Sequence, residues 1–212
     1  MMQYSVIIPA AGKGTRMGLG YNKAYYRMQD GRTILEHTAE IFASDSDCRE
    51  IVIVTDPEEY ETEIGAIEGK IKVTSGGSSR QESVYSGLKE VTSDYVMIHD
   101  GARPYLSQEC LHALKQAMEV EDAACLTVPC KDTIKVVNGG YIVKTIERAA
   151  IAAAQTPQAF RTELIRYCMK QAIEEGYTGT DDCSLVERYS DVRIKVVEGS
   201  YANLKITTPE DL

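Results

Sequence analysis

Blocks of apolar and polar positions alternate along the first 130 residues. Short apolar runs at 3–9, 50–55, 71–74, 94–99 and 123–128 read as buried strands, each too short for a helix. Between them the apolar positions shift to helical spacing, and two helix starts are legible. Thr33-Ile34-Leu35-Glu36 and Ser79-Arg80-Gln81-Glu82 both have the form of a capping box. The first leads into Leu35, Thr38, Ile41 and Phe42, the second into Val84, Leu88 and Val91. This alternation predicts an α/β fold of Rossmann-like type, a mostly parallel sheet with helices on both faces. Open sheets of that kind bind ligands beyond the C-terminal strand ends, where strand order reverses. The loops after 3–9 and 94–99 are therefore the first places to look.

Past Pro129 the pattern changes. Asp132-Thr133-Ile134-Lys135-Val136-Val137 and Tyr141-Ile142-Val143-Lys144-Thr145-Ile146 flank Asn138-Gly139-Gly140, which predicts a β-hairpin. A hairpin has no evident place in a parallel sheet, so residues from about 130 to 150 are expected to project as an arm. Gln155-Thr156-Pro157-Gln158 reads as a loop, followed by a helix over 162–175, a short helix opened by Thr180-Asp181-Asp182, and a strand over 192–198. Thr208-Pro209-Glu210-Asp211 has the form of a helix start, with Thr as cap and Pro in first position, which implies a chain continuing past Leu212. No repeat or linker divides residues 1–212, and a single domain is expected.

Composition narrows the class of ligand. The 212 residues carry a formal charge of −9, which argues against nucleic acid or a membrane surface as partner. Against that background Lys13, Arg16, Lys23, Arg80, Arg103, Arg148 and Lys205 stand at element ends, as isolated cations suited to a small anionic substrate. The opening residues lack the pattern of a signal peptide and no run reaches the length of a membrane span. Six cysteines without a C-x-x-C pair read as reduced thiols, and the expected location is the cytoplasm.

Candidate chemistry begins at Ile8-Pro9-Ala10-Ala11-Gly12-Lys13-Gly14-Thr15-Arg16-Met17. Small residues directly after a strand let backbone N–H groups approach phosphate oxygens, and Arg16 and Lys23 add fixed charge. Met17 breaks the dinucleotide pattern G-x-G-x-x-G, and Gly14 stands where a P-loop needs Ser or Thr after its lysine. The loop is thus expected to bind a triphosphate in a third way. Asp100 follows a predicted central strand and faces this loop. A carboxylate beside a triphosphate repels it unless a cation intervenes, so Asp100 is read as a Mg²⁺ ligand that can also contact the ribose.

Five separated motifs, spread over essentially the whole chain, resemble the 2-C-methyl-D-erythritol 4-phosphate cytidylyltransferases. They are Pro9-Ala10-Ala11-Gly12-x-Gly14-x-Arg16-Met17, Gly76-Gly77-x-x-Arg80-x-x-Ser83-Val84, His99-Asp100-x-Ala102-Arg103-Pro104, Gln155-Thr156-Pro157-Gln158-x-Phe160 and Asn203-x-Lys205-Ile206-Thr207-x-Pro209-Glu210-Asp211. The resemblance implies a reaction between CTP and a sugar-alcohol phosphate in non-mevalonate isoprenoid synthesis. It implies that Pro9, Ala10, Ala11, Gly12 and Gly14 wrap the nucleotide, with Arg16, Lys23 and Lys205 as the catalytic cations. It places Gly77 and Ser83 beside the cytosine and Arg103, Thr133 and Arg148 on the acceptor side. It also implies a homodimer in which the hairpin arm reaches the second subunit. This chain departs from the family where Pro-Lys-Gln is common and Asn22-Lys23-Ala24 stands here, without a proline to stiffen the loop. Ser78 takes the place of an acidic residue that some members carry.

The nearest rival is a ribitol-5-phosphate cytidylyltransferase, against which stand Ala10-Ala11-Gly12, Ala102 before Arg103, and Ile146-Glu147-Arg148-Ala149. Met17 disfavours a nicotinamide-dependent oxidoreductase. Arg16, Lys23, Asp100 and Lys205 together argue against a non-catalytic nucleotide-binding regulator, which has no need of charges around a reacting phosphorus.

Overall fold

A computed structural model describes residues 2–12, 20–65 and 70–211. The first strand, β1 (Tyr4–Pro9), is buried along nearly its whole length. Helix α1 (Ile34–Ala43) opens with the capping box expected at Thr33 and Glu36. Then come β2 (Cys48–Val54), α2 (Pro57–Glu63), β3 (Ile71–Thr74), α3 (Arg80–Glu90), β4 (Tyr95–Ile98), α4 (Gln108–Ala117) and β5 (Ala123–Pro129). The chain continues through β6 (Lys135–Asn138), β7 (Tyr141–Thr145), β8 (Ala152–Arg161), α5 (Thr162–Glu175), α6 (Asp182–Tyr189) and β9 (Lys195–Glu198). At the start of α3, Ser79 caps as expected, but Glu82 turns its carboxylate to the N–H and hydroxyl of Ser78, both at 2.6 Å.

Seven strands form one sheet in the order β3-β2-β1-β4-β8-β5-β9. Four neighbouring pairs are parallel, and β8 runs antiparallel to both β4 and β5. Strand order reverses between β1 and β4. Alternate side chains of β1 serve opposite faces. Val6 and Ile8 pack with Leu35 and Phe42 of α1 and Leu111 of α4, whereas Ile7 packs with Val84 and Leu88 of α3 and with α5 and α6. Among the described residues no helix is long and apolar enough to cross a membrane.

The sequence reading placed a loop at 155–158, where the structure has the middle of β8. Gln155, Thr156 and Gln158 are buried polar residues, so the segment lacks an apolar strand pattern. Their hydrogen-bonding groups are met from the side: Gln155 donates to the Ser200 carbonyl, and Gln158 donates to Asp181 and accepts from the Cys183 N–H. Pro157 lies where the β5–β8 register shifts, a place that tolerates the loss of a ladder donor. Helices α2 and α4 were not singled out in the sequence, and the strand expected over 192–198 begins only at Lys195.

The hairpin forms as expected, as a separate two-stranded sheet. Gly139 and Gly140 have φ of 56° and 84°, the left-handed pair that a two-residue hairpin turn requires. Every residue of β6 and β7 is exposed, including Val137 at 60%, Tyr141 at 79% and Ile142 at 66%.

Candidate active site

A cavity of about 630 Å³ opens where the strand order reverses. Pro9, Ala10, Ala11 and Gly12 form one wall as the chain leaves β1, and Asp100, Gly101 and Ala102 form the floor after β4. Gly77, Ser78, Ser79, Arg80 and Ser83 at the start of α3 face them, and Asn22, Lys23, Ala24, Lys205 and Thr207 complete the lining. Gly77 lies so close to Glu82 that a β-carbon would strike that side chain. Its N–H donates to the Ser83 hydroxyl at 3.1 Å, and that hydroxyl donates to the Ser79 carbonyl at 2.9 Å. Among the described residues nothing takes the second lone pair of Ser83, which is left to accept from a ligand.

Asn22 supplies by hydrogen bonding the stiffness a proline would give. It is buried, caps the one-turn 3-10 helix Lys23–Tyr25 by accepting from the Ala24 N–H, and donates to the Ala10 carbonyl at 2.5 Å. Lys23 is thereby tied to the end of β1. Its ammonium donates to the Ile206 carbonyl at 2.6 Å, and the Ile206 N–H donates to the Ala102 carbonyl. With Ile206 fully buried, the 203–207 segment is drawn over the floor and Lys205 is presented to the cavity.

Asp100 is the hub. Its Oδ1 accepts from Arg80 Nε at 3.2 Å, and its Oδ2 from Lys205 Nζ at 3.0 Å and Arg103 Nε at 3.4 Å. Burial alone would raise its pKa, but Arg80, Lys205 and Arg103 outweigh it and hold the carboxyl well below the usual carboxylate range. Arg80 spans to a second carboxylate, Asp182 Oδ2, at 2.8 Å. Asp182 is 1% exposed, and its burial pushes its pKa upward, only partly offset by Arg80.

Beneath the hub lies a neutral histidine. Thr156 Oγ1 accepts from the Asp100 N–H and lies 3.1 Å from His99 Nδ1, so its own proton is free to go to that nitrogen. The tautomer follows: Nε2 carries the hydrogen and donates to the Arg103 carbonyl at 3.0 Å. Burial pushes the His99 pKa down to about 4.

Most residues expected at the nucleotide are thus brought together: Pro9, Ala10, Ala11, Gly12, Gly77, Ser83 and Asp100 share one cavity with Lys23 and Lys205. Gly14 and Arg16 lie outside the described residues. Arg103, read on the acceptor side, is absent from the lining and is held by Asp100 and the Asn203 carbonyl, the latter at 2.7 Å. Thr133 and Arg148 lie on the exposed arm, hydrogen-bonded to each other at 3.0 Å and not lining the cavity. The pairing of Arg80 with Asp182 is not legible in the sequence. Arg80 was visible as a cation at a helix start, but Asp182 was hidden behind Asp181, which does cap α6.

The donor set suits a hard cation only in a particular way. Among the described residues Asp100 Oδ1 accepts one hydrogen bond, from Arg80, which leaves a lone pair for a metal. Among the described residues no three acidic, histidine or cysteine side chains converge, so the arrangement fits a Mg²⁺ ion held mainly by substrate phosphates.

Comparison with known proteins leads to the same place. The profile of the 2-C-methyl-D-erythritol 4-phosphate cytidylyltransferases matches residues 4–212. Proteins of that name from Halalkalibacterium halodurans and Bacillus velezensis are 44% and 42% identical, covering all of this chain and 94% and 93% of theirs. The crystal structure of the Francisella tularensis enzyme superposes with a TM-score of 0.86 at 31% identity, over 99% of this chain and 96% of that one. The 4-diphosphocytidyl-2C-methyl-D-erythritol synthase of Anaerococcus prevotii gives a TM-score of 0.86 at 32% identity, over 99% and 94%. These matches favour a methylerythritol acceptor over ribitol phosphate, and the chain belongs to the 2-C-methyl-D-erythritol 4-phosphate cytidylyltransferase family.

Proposed function

We propose that the cavity at the ends of β1 and β4 is where this cytidylyltransferase joins CTP to 2-C-methyl-D-erythritol 4-phosphate. The observation that carries this reading is the meeting of Lys23, Lys205 and Asp100 on one cavity floored by glycine and alanine. An oxygen of the acceptor's phosphate attacks the α-phosphorus of CTP, a P–O bond forms, and the bond to the bridging oxygen breaks as pyrophosphate leaves. The nucleophile is already an anion, so no general base is needed. The task is to align two anions and to stabilise charge on the α-phosphate and leaving oxygens.

The backbone N–H groups of Ala11 and Gly12 lie against the triphosphate in this reading, since Pro9 has none and that of Ala10 is donated to the Val54 carbonyl, and Lys23 neutralises it. The lone pair left on Ser83 accepts from the exocyclic amine of cytosine, a donor that uracil lacks. Lys205 faces the acceptor phosphate from the other side. Asp100 and the phosphates would hold Mg²⁺, which when bound supplies further neutralisation of the phosphate oxygens. Six free thiols support a cytoplasmic enzyme.

The arm completes the site from a second subunit in this reading. Its uncovered apolar residues make an isolated hairpin marginal in water, and a two-fold pairing of arms would bury them. Thr133 and Arg148 would then be delivered to the partner's acceptor phosphate.

Pyrophosphate release is the test. We expect it from CTP with methylerythritol phosphate and Mg²⁺, and little of it with UTP, ATP or GTP, with ribitol 5-phosphate, or with chelator present. Equal use of ATP or GTP would overturn the assignment of the base site. Sedimentation as an active monomer would overturn the shared site.

A further inference from the structure

We infer that Asp182 is a positioning residue for the transfer, acting through Arg80 on the Asp100 hub. The inference rests on the reading of the cavity given above. Asp182 is a carboxylate buried to 1% exposure at the first position of α6, on an element that does not line the cavity. Helix capping does not account for it, because Asp181 caps α6 by accepting from the Ser184 N–H at 2.9 Å. Its carboxylate points instead at Arg80 Nη2, 2.8 Å away. Arg80 does line the cavity, and its Nε–H holds Asp100 Oδ1.

Guanidinium is planar, so fixing one nitrogen fixes the direction of the others. With Nη2 committed to Asp182, Arg80 presents Nε to Asp100 and cannot turn its whole fork toward a phosphate. Asp100 is thereby held with Oδ2 toward Lys205. Charge balance points the same way. Arg80, Arg103 and Lys205 face two carboxylates, Asp100 and Asp182, leaving one net positive charge in the cluster. Without Asp182 the excess becomes two, and the released arginine, which lines the same cavity, becomes available to a polyphosphate. Asp182 keeps Arg80 as a brace and prevents it from becoming a second phosphate clamp.

The test separates positioning from simple structural support. Asp182→Asn keeps the shape and removes the charge. We expect kcat for pyrophosphate release to fall about tenfold, with KM for CTP changed less than about twofold. Binding of inorganic pyrophosphate alone, measured by calorimetry without turnover, should tighten severalfold and become more sensitive to salt. In an Arg80→Ala background the same asparagine should cause no further loss of kcat and no gain in pyrophosphate affinity. Should Arg80→Ala leave Asp182 too poorly compensated to fold, the double variant, neutral at both places, is compared with Asp182→Asn and should lose its tightened pyrophosphate binding. Independent multiplication of the two kcat losses, or unchanged pyrophosphate affinity in folded Asp182→Asn, would overturn the inference. Absence of pyrophosphate release by the unaltered enzyme would sink the functional reading instead, and the pyrophosphate titration would still decide the role of Asp182.

Discussion

The cavity floor and the β6–β7 arm hold their polar side chains in contrasting ways. On the floor the side chains are tied into the buried structure: Asp100 to three cations, His99 to Thr156 and the Arg103 carbonyl, and Lys23 to the Ile206 carbonyl. On the arm, Thr133 and Arg148 are hydrogen-bonded to each other at its base, beside two strands whose residues are all exposed. The floor is organised before any ligand arrives. The arm has the hydrogen-bonded backbone of a hairpin without the burial that would fix it. Preorganised charge of the floor's kind stabilises transition states, whereas a bare apolar hairpin needs something to lie against.

That contrast is sharpest for the two lysines. Replacing Lys23 or Lys205 by Ala should lower kcat on the order of 10²–10³-fold, the usual cost of one preorganised donor, with some loss in thermal midpoint because Lys23 holds the Ile206 carbonyl and Lys205 compensates the buried Asp100. Steady-state pyrophosphate release beside a melting curve checks both halves. A variant with near-normal turnover would remove that lysine from the mechanism.

Acid should weaken the fold through the histidine beneath the floor. His99 is neutral when folded, with a pKa lowered from 6.5 to about 4, so between those values the unfolded chain binds a proton that the folded chain refuses. Stability therefore falls as pH drops from about 6.5 to about 4, by at most about 3 kcal/mol. Glu50, lowered from 4.5 to about 2, adds stability that is present above pH 4.5 and fades toward pH 2. Urea unfolding at a series of pH values measures this, and His99→Gln should flatten the upper window. An unchanged slope in that variant would clear His99 of the effect.

For the arm, Arg148→Ala should cost on the order of tenfold in turnover and almost nothing in stability. Mixed with Lys23→Ala under subunit exchange, it should restore up to about half of normal activity per heterodimer, since one site then carries both lesions and the other neither. No recovery despite proven exchange would confine the site to one chain. The smallest effect is reserved for the apolar surface of the arm. Val137→Ser or Ile142→Ser should leave the isolated subunit within about 0.5 kcal/mol of its original stability and still weaken self-association in sedimentation. A loss of monomer stability instead would show that the arm packs on its own subunit.

What could be read in the sequence follows the same division. The strands of the left half of the sheet, the hairpin turn and the cavity loops announce themselves through apolar runs, Gly139-Gly140 and small residues after β1. Strand β8 did not, because its central residues are polar and are satisfied by partners far away in sequence, such as Ser200 and Cys183. Asp182 escaped for a related reason: an acid at a helix start has a local explanation, and only the fold brings Arg80, 102 positions away, within reach. Asn22 is the reverse case. A departure from the family's proline proved to be a different route to a rigid turn.

The pairing of Lys205 with Asp100 bears on how quickly the enzyme can be used again. A phosphate arriving at Lys205 exchanges one counter-ion for another, so its binding free energy is the difference between two ion pairs. Under the proposed mechanism, affinity for the acceptor phosphate, and for the nucleotide product that carries it, would be lower than a lone lysine gives. As product leaves, Lys205 would still have Asp100 beside it, and no unpaired charge would be exposed along the way. Restraint in ground-state binding is the condition for rapid turnover, since tight retention of product would slow every cycle.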